Sequence, residues 1–242
     1  LSDAYRNIND IGIGTGVFAS VTSSGQYNVA LGSNALNKLT TAHTNTAVGY
    51  LAGKSITTGS GNTVIGSFSQ TGLTTGGWNV SLGRGSLEQN IVGSSNTGIG
   101  SYALEKTKGN SNVGVGSGAL SANINGSNNT AIGKNANVTS TNLNNTTAIG
   151  YGALVSTSNT IQLGNNSITT VSTAGNYEGT GLTATNNSTA GGSAIVEMNS
   201  TTKGMLMPRM TQTQRKAIGS PVTGLMVYQT DNTQQGVHFY DG

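Results

Sequence analysis

Between Asp10 and Gly164 the chain repeats one short pattern of apolar and polar positions. An Asn is followed by a β-branched residue, a small residue and an aliphatic residue, and a glycine closes the group. Asn96 to Leu104, N-T-G-I-G-S-Y-A-L, shows the frame. It returns from Asn28, Asn45, Asn62, Asn79, Asn112 and Asn129, with degenerate copies from Asp10, Thr146 and Thr160. The closing glycines are Gly14, Gly32, Gly49, Gly66, Gly83, Gly100, Gly116, Gly133, Gly150 and Gly164, so the step is 17 residues in six of nine intervals. A period of this length over ten copies marks a stacked repeat and not an ordinary globular core.

Each column of the repeat carries a structural expectation. One place after the Asn stand Ile11, Val29, Thr46, Thr63, Val80, Thr97, Val113, Thr130, Thr147 and Ile161, all β-branched and suited to a strand. Two places further stand Ile13, Leu31, Val48, Ile65, Leu82, Ile99, Val115, Ile132, Ile149 and Leu163, all aliphatic. Residues two apart share one face of a strand, so these columns are expected to form aliphatic ladders inside the coil. The mostly small column between them (Gly12, Ala30, Ala47, Val64, Ser81, Gly98) is expected to pack closely against another backbone and to offer a surface for association. A second short strand is expected after the glycine, where Ala35, Ala103, Ala119 and Ala153 precede Leu36, Leu104, Leu120 and Leu154. Asn28, Asn45, Asn62, Asn79, Asn96, Asn112 and Asn129 are expected to form a ladder of side-chain amides at the turns. Parallel coils rise by about 4.8 Å per step. So thin a core predicts side-by-side packing of several copies.

The frame N-[TV]-A-[IV]-G-x-x-A-L resembles the head repeats of trimeric autotransporter adhesins (YadA-like heads), over about two thirds of the chain. The resemblance implies a left-handed parallel β-roll, three chains about a common axis, and binding to surfaces rather than catalysis. The repeats here are a few residues longer than the commonest head repeats.

The pattern divides the chain into a lead-in at 1–9, an all-β roll at 10–164, a β-rich neck at 165–199 and a C-terminal module at 200–242. In the neck, Ile168 to Thr173 and Ser193 to Met198 read as strands, and Gly191-Gly192 as a turn. In the module, Thr211 or Thr213 caps a short helix through Ala217, stopped by Gly219 and Pro221. Gly224 to Thr230 and Gly236 to Tyr240 read as a hairpin. The run T-K-G-M-L-M-P-R-M, continued by G-L-M-V-Y and ending F-Y-D-G, is similar to a module of phage tail-fibre proteins and related bacterial surface proteins. Neither a heptad stalk nor a membrane-anchoring barrel is visible. With Leu1 at its start and an abrupt stop at Gly242, the chain reads as a processed or excised piece.

Composition narrows the chemistry. Only 8% of residues are charged and 37 are Gly, as expected for strands and turns with uncharged polar surfaces. The net charge of +3 comes from eleven scattered basic residues, without the stripe or cluster that nucleic acid requires. Zero Cys excludes a disulfide framework, and no apolar run is long enough to span a bilayer. His43 and His238 are too isolated for a metal site, and the turns lack the recurrent Asp of calcium-binding rolls. The G-V-G-S-G at Gly114 is one copy of the repeat, without the Lys of a phosphate loop. No cofactor is expected. Two carboxylates, Glu88 and Glu105, stand one coil apart at equivalent places and could face one sugar. Two exposed turn residues are the plainer reading.

Aromatic and basic residues are the better recognition candidates. Tyr50, Arg84, Lys134 and Tyr151 directly follow the closing glycine, and Tyr27 and Trp78 directly precede the Asn. Tyr228, His238 and Tyr240 stand on the expected final hairpin. Rings with polar tips suit sugar or protein contacts.

The sequence therefore predicts a non-enzymatic, homotrimeric fibre segment, extracellular, on a phage tail or a bacterial surface. It would attach to a glycan or protein receptor on a cell, and other fibre or baseplate proteins are possible partners. One alternative is a polysaccharide-cleaving tail spike using Glu88 and Glu105. Another is an ice-binding roll, although Val29, Val80 and Val113 interrupt its Thr column.

Overall fold

The computed structural model describes residues 4–6, 9–21, 25–168, 205–232 and 234–241. The chain divides into two compact units, 1–172 and 173–242.

The first unit is a parallel β-solenoid. The strand triplets Ile11–Ile13, Val29–Leu31, Thr46–Val48, Thr63–Ile65, Val80–Leu82, Thr97–Ile99, Val113–Val115, Thr130–Ile132, Thr147–Ile149 and Ile161–Leu163 lie side by side in chain order in one sheet. Register is strict: Leu31 pairs with Val48, Val48 with Ile65, and Ile65 with Leu82. The lead-in contributes Ala4–Arg6, which pairs antiparallel with the first triplet and covers that edge of the sheet.

Inside and outside are the reverse of the expected arrangement. The middle residues Ala30, Ala47, Val64, Ser81, Ala131 and Ala148 are buried within the coil. The flanking columns point outward: Ile13, Ile65, Ile99, Ile132 and Ile149 are exposed, while Leu31, Val48, Leu82 and Val115 are half-buried. The reason is room. The small column faces Ala-Leu pairs of the opposite wall, such as Ala35-Leu36 and Ala103-Leu104, which are fully buried and fill the coil by themselves. Two further aliphatic side chains per coil have no space there.

The opposite wall is a second correction. Among the described residues of the solenoid, a strand follows the glycine only at Asn137–Val138 and Leu154–Val155, which pair with each other. Elsewhere the segment is a run of turns. Two residues after each closing glycine from Gly14 to Gly150 the backbone is left-handed, as at Asn34, Phe68 and Tyr102, and often again two residues later, as at Leu36, Leu87, Leu104 and Leu120. This alternation curls the chain instead of extending it. Coils still bond to each other there, with Leu36 N donating to Ala52 O at 3.0 Å and Leu104 N to Ala119 O at 2.8 Å.

Two glycine columns permit the close stacking. Gly66 has φ of 134°, and a Cβ on it would lie 2.6 Å from the carbonyl oxygen of Gly83 in the next coil. Gly59, Gly76, Gly93, Gly109 and Gly126 form a second column, also backbone against backbone.

At the third corner the asparagines form a continuous row. Each Oδ1 accepts the backbone N–H of the next Asn, from Asn45 on Asn28 at 3.0 Å to Asn129 on Asn112 at 3.0 Å. The Nδ2 of Asn45, Asn62, Asn79, Asn96 and Asn112 donates to the carbonyl of the second glycine column. Asp10 accepts from Asn28 at one end, and Thr146 donates to Asn129 at the other.

The apolar interior falls into two clusters, Val17 to Leu73 and Leu87 to Val155. Between them Ser69, Gln70, Ser81 and Ser86 are fully buried. The serines bond to one another and to backbone carbonyls. Both polar atoms of Gln70 lack a hydrogen-bond partner.

In the second unit Arg209–Met210 pairs parallel, and Gly236–Phe239 antiparallel, with the central strand Met226–Gln229. The helix Gln212–Lys216 has Thr211 as N-cap, completed into a capping box by Gln214. Arg215 Nε donates to Gln229 Oε1 at 3.0 Å and ties the helix to the sheet. The neck expected at 165–199 lies, beyond Ile168, outside the described residues.

Candidate functional site

Two surfaces of the solenoid and one of the C-terminal unit carry the chemistry. The first is the outward face of the triplets. Because each strand places its β-branched and aliphatic residues two apart, every coil adds one pair to the same side. Register joins these pairs into one apolar stripe from Ile11 and Ile13 to Ile161 and Leu163. Most residues in it are β-branched or aliphatic, with the Thr members bearing methyl groups. A contiguous stripe of this kind on a single chain marks a contact surface.

The second surface lies on the turn that leaves each triplet. Tyr50 follows Gly49, and its ring meets Phe68 of the next coil edge-to-face, centroids 5.4 Å apart at 87°. Arg84 places its guanidinium carbon 5.2 Å from the centre of the Tyr102 ring, one coil on, and its Nη1 donates to the Tyr102 hydroxyl. Phe68, Arg84, Gly85, Glu88 and Tyr102 together line a groove of about 140 Å³.

The other sequence candidates are dispersed. Trp78 is 71% exposed and lies against Gly61, where a Cβ would come 2.6 Å from its Cε3 atom. Tyr27 shares its column three coils away, about 14 Å along the stack, and the two rings form no common site. Tyr151 is exposed, with its carbonyl accepting from Asn165 Nδ2 at 3.0 Å. Lys134 is exposed as well. Glu105 stands in register one coil from Glu88 but does not line the groove.

Phe68 and Tyr102 were missed from the sequence as recognition residues, and Glu88 was considered only as one of a carboxylate pair with Glu105. The rings stand two places after the closing glycine, not one, where Gly16, Asn34, Gly85, Gly118 and Asn135 stand in other coils. An aromatic in a column of Gly and Asn is the signal that could have found them.

In the C-terminal unit Tyr228 is half-buried, with the Arg209 guanidinium 5.6 Å from its ring centre. His238 contacts the carbonyl oxygen of Gln234 at 2.8 Å. One side of the small sheet is apolar and open: Met226 pairs with Phe239 and Tyr228 with Val237 across it, and Met205, Leu206 and Met207 line a cavity beside Tyr228 and Val237. Val227 and Gln229 on the other side are buried. Leu206 is 83% exposed and Phe239 70%. Among the described residues there is no cluster of His, Asp and Glu suited to a metal ion, and no helix long and apolar enough to cross a membrane.

Comparison with known families matches residues 183–242 to the phage tail like trimerisation region. The open apolar sheet face falls inside that segment. No curated protein is significantly similar to the chain.

Proposed function

We propose that this chain is a segment of a homotrimeric phage tail fibre, exposed on the virion, whose solenoid is a stiff rod that attaches to a cell surface. The observation that carries this reading is the apolar stripe running the length of the solenoid, on a chain that ends in a segment similar to a phage-tail-like trimerisation region. A β-solenoid joined to such a segment fits a tail fibre or spike. Three stripes facing a common axis would remove these side chains from water, at about 25 cal/mol for each Å² of apolar surface covered. This packing agrees with the likeness of the repeats to YadA-like heads, from which the handedness and the adhesive role are taken. Trimerisation also multiplies weak surface contacts through avidity.

The reading is non-enzymatic. The groove beside Arg84 holds Glu88 without a second carboxylate among its lining residues, whereas glycoside cleavage uses a pair. The receptor is a cell-surface glycan or protein, and baseplate or other fibre proteins would hold the rod. A bacterial surface adhesin is the second reading, favoured by the resemblance of the roll alone.

Native mass spectrometry of the purified chain, 24.4 kDa per copy, is expected to give the mass of three chains. Fluorescently labelled trimer is expected to decorate host cells and to leave their polysaccharide chain length unchanged. A monomer in dilute solution, or shortening of the polysaccharide, would overturn the corresponding half of the proposal.

A further inference from the structure

The groove on the turn face has the parts of a saccharide subsite. Beneath it lies Gly85, a buried left-handed residue with φ of 63°. A Cβ there would lie 2.6 Å from Cε1 of Tyr102 and 3.0 Å from Oε2 of Glu88, so ring and carboxylate both rest against this backbone position. The Arg84 guanidinium holds the Tyr102 ring, stacked 5.2 Å from its centre and donating to its hydroxyl. Phe68 also lines the groove and is itself braced by Tyr50. The rings are thus fixed before any ligand arrives, which lowers the ordering cost of binding.

We propose that this groove binds one neutral pyranose residue of a surface polysaccharide. A pyranose has an apolar C–H face and an edge of hydroxyls that both donate and accept. The aromatic walls meet the first need. The second is met by Arg84, which only donates, beside Glu88, which only accepts when ionised. One cation and one anion leave no net charge to select an acidic sugar. Trp78 is exposed on a different corner of the coil and does not line the groove.

The proposal rests on the attachment reading and names its ligand class. Saturation-transfer NMR on the intact protein, with oligosaccharides of glucose, galactose or mannose and with sialylated and uronate-containing counterparts, tests it. At least one neutral oligosaccharide is expected to bind. Tyr102→Ala and Arg84→Ala should each weaken it about tenfold or more, and Gly85→Ala should do likewise by displacing the Tyr102 ring. Trp78→Ala should leave it unchanged, and the native mass should stay constant in all four variants. Failure of every neutral oligosaccharide to bind, a preference for the acidic ones, or equal binding by Tyr102→Ala overturns the assignment. So does a change of mass in Tyr102→Ala, which would make the groove a contact between copies. A protein that decorates cells equally well with Tyr102→Ala sinks this site and leaves attachment standing. One that binds the sugar here but decorates no cell sinks attachment alone.

Discussion

Asn62 presents one oxygen to two donors of Asn79: the backbone N–H at 3.1 Å and Nδ2 at 3.0 Å. Asn79 in turn accepts the N–H of Asn96 at 2.9 Å and donates to the carbonyl of Gly93 at 3.0 Å. A buried side chain that must accept and donate along the same row has to be an amide.

Asn79→Ala removes the acceptor of a buried N–H together with two donors. Its expected cost is about 2–4 kcal/mol, read as a shift in denaturant midpoint. Asn79→Asp should cost more at neutral pH, because a carboxylate would face the oxygens of Asn62 and Gly93. Burial raises the folded-state pKa of such a group. Its deficit relative to wild type should therefore shrink as pH falls and the carboxyl regains a proton to donate. An Asp variant as stable as wild type at pH 7 would show that the row is solvated.

Gly66→Ala is expected to destabilise by roughly 2–5 kcal/mol, because a left-handed backbone and a contact with Gly83 are both forced. Gly219→Ala is the control: nothing lies within 4 Å of a Cβ there. Calorimetry should separate the two by many degrees.

Gln70 stands where Leu36, Leu87, Leu104 and Leu120 stand in other coils, buried and left-handed like them. An unpartnered buried amide costs about 1–3 kcal/mol. Gln70→Leu should therefore raise the melting midpoint by that equivalent and join the two apolar clusters. A fall in stability would mean that the amide has a function in the seam.

The repeat, its register and the asparagine row were legible because each is a column of chemically similar residues. Which face of the triplet is interior was not. Alternation assigns Val80 and Leu82 to one side and Ser81 to the other, but says nothing about which side has room. That depends on the opposite wall, where Leu36, Phe68 and Leu104 adopt left-handed backbone that side-chain rules reserve for Gly or Asn. The expected second strand failed for the same reason. The groove escaped because Arg84 and Tyr102 stand at different offsets in consecutive coils, and only the stacked turns bring them together.

Trp78 is the single tryptophan, so its emission reports one position. Gly61→Ala should lift the ring from the backbone beneath it and move the emission towards that of a fully solvated indole. The solenoid should otherwise persist, because Gly61 already shares its left-handed corner with Tyr27, Thr44 and Ser95. Unchanged emission would show that the ring does not rest on Gly61.

Ile99 and Ala131 separate assembly from folding. Ile99 is 39% exposed on the stripe, whereas Ala131 is fully buried in the coil. An unpaired carboxylate inside costs several kcal/mol, so Ala131→Asp should abolish the cooperative melt of adjacent coils. Ile99→Asp should leave the strand content of the single chain intact by circular dichroism and instead weaken the trimer, because in the proposed packing three carboxylates would meet on the common axis. Sedimentation at falling concentration should show this variant dissociating before it unfolds. Loss of strand signal in Ile99→Asp at concentrations where it is already monomeric would place that column inside the coil.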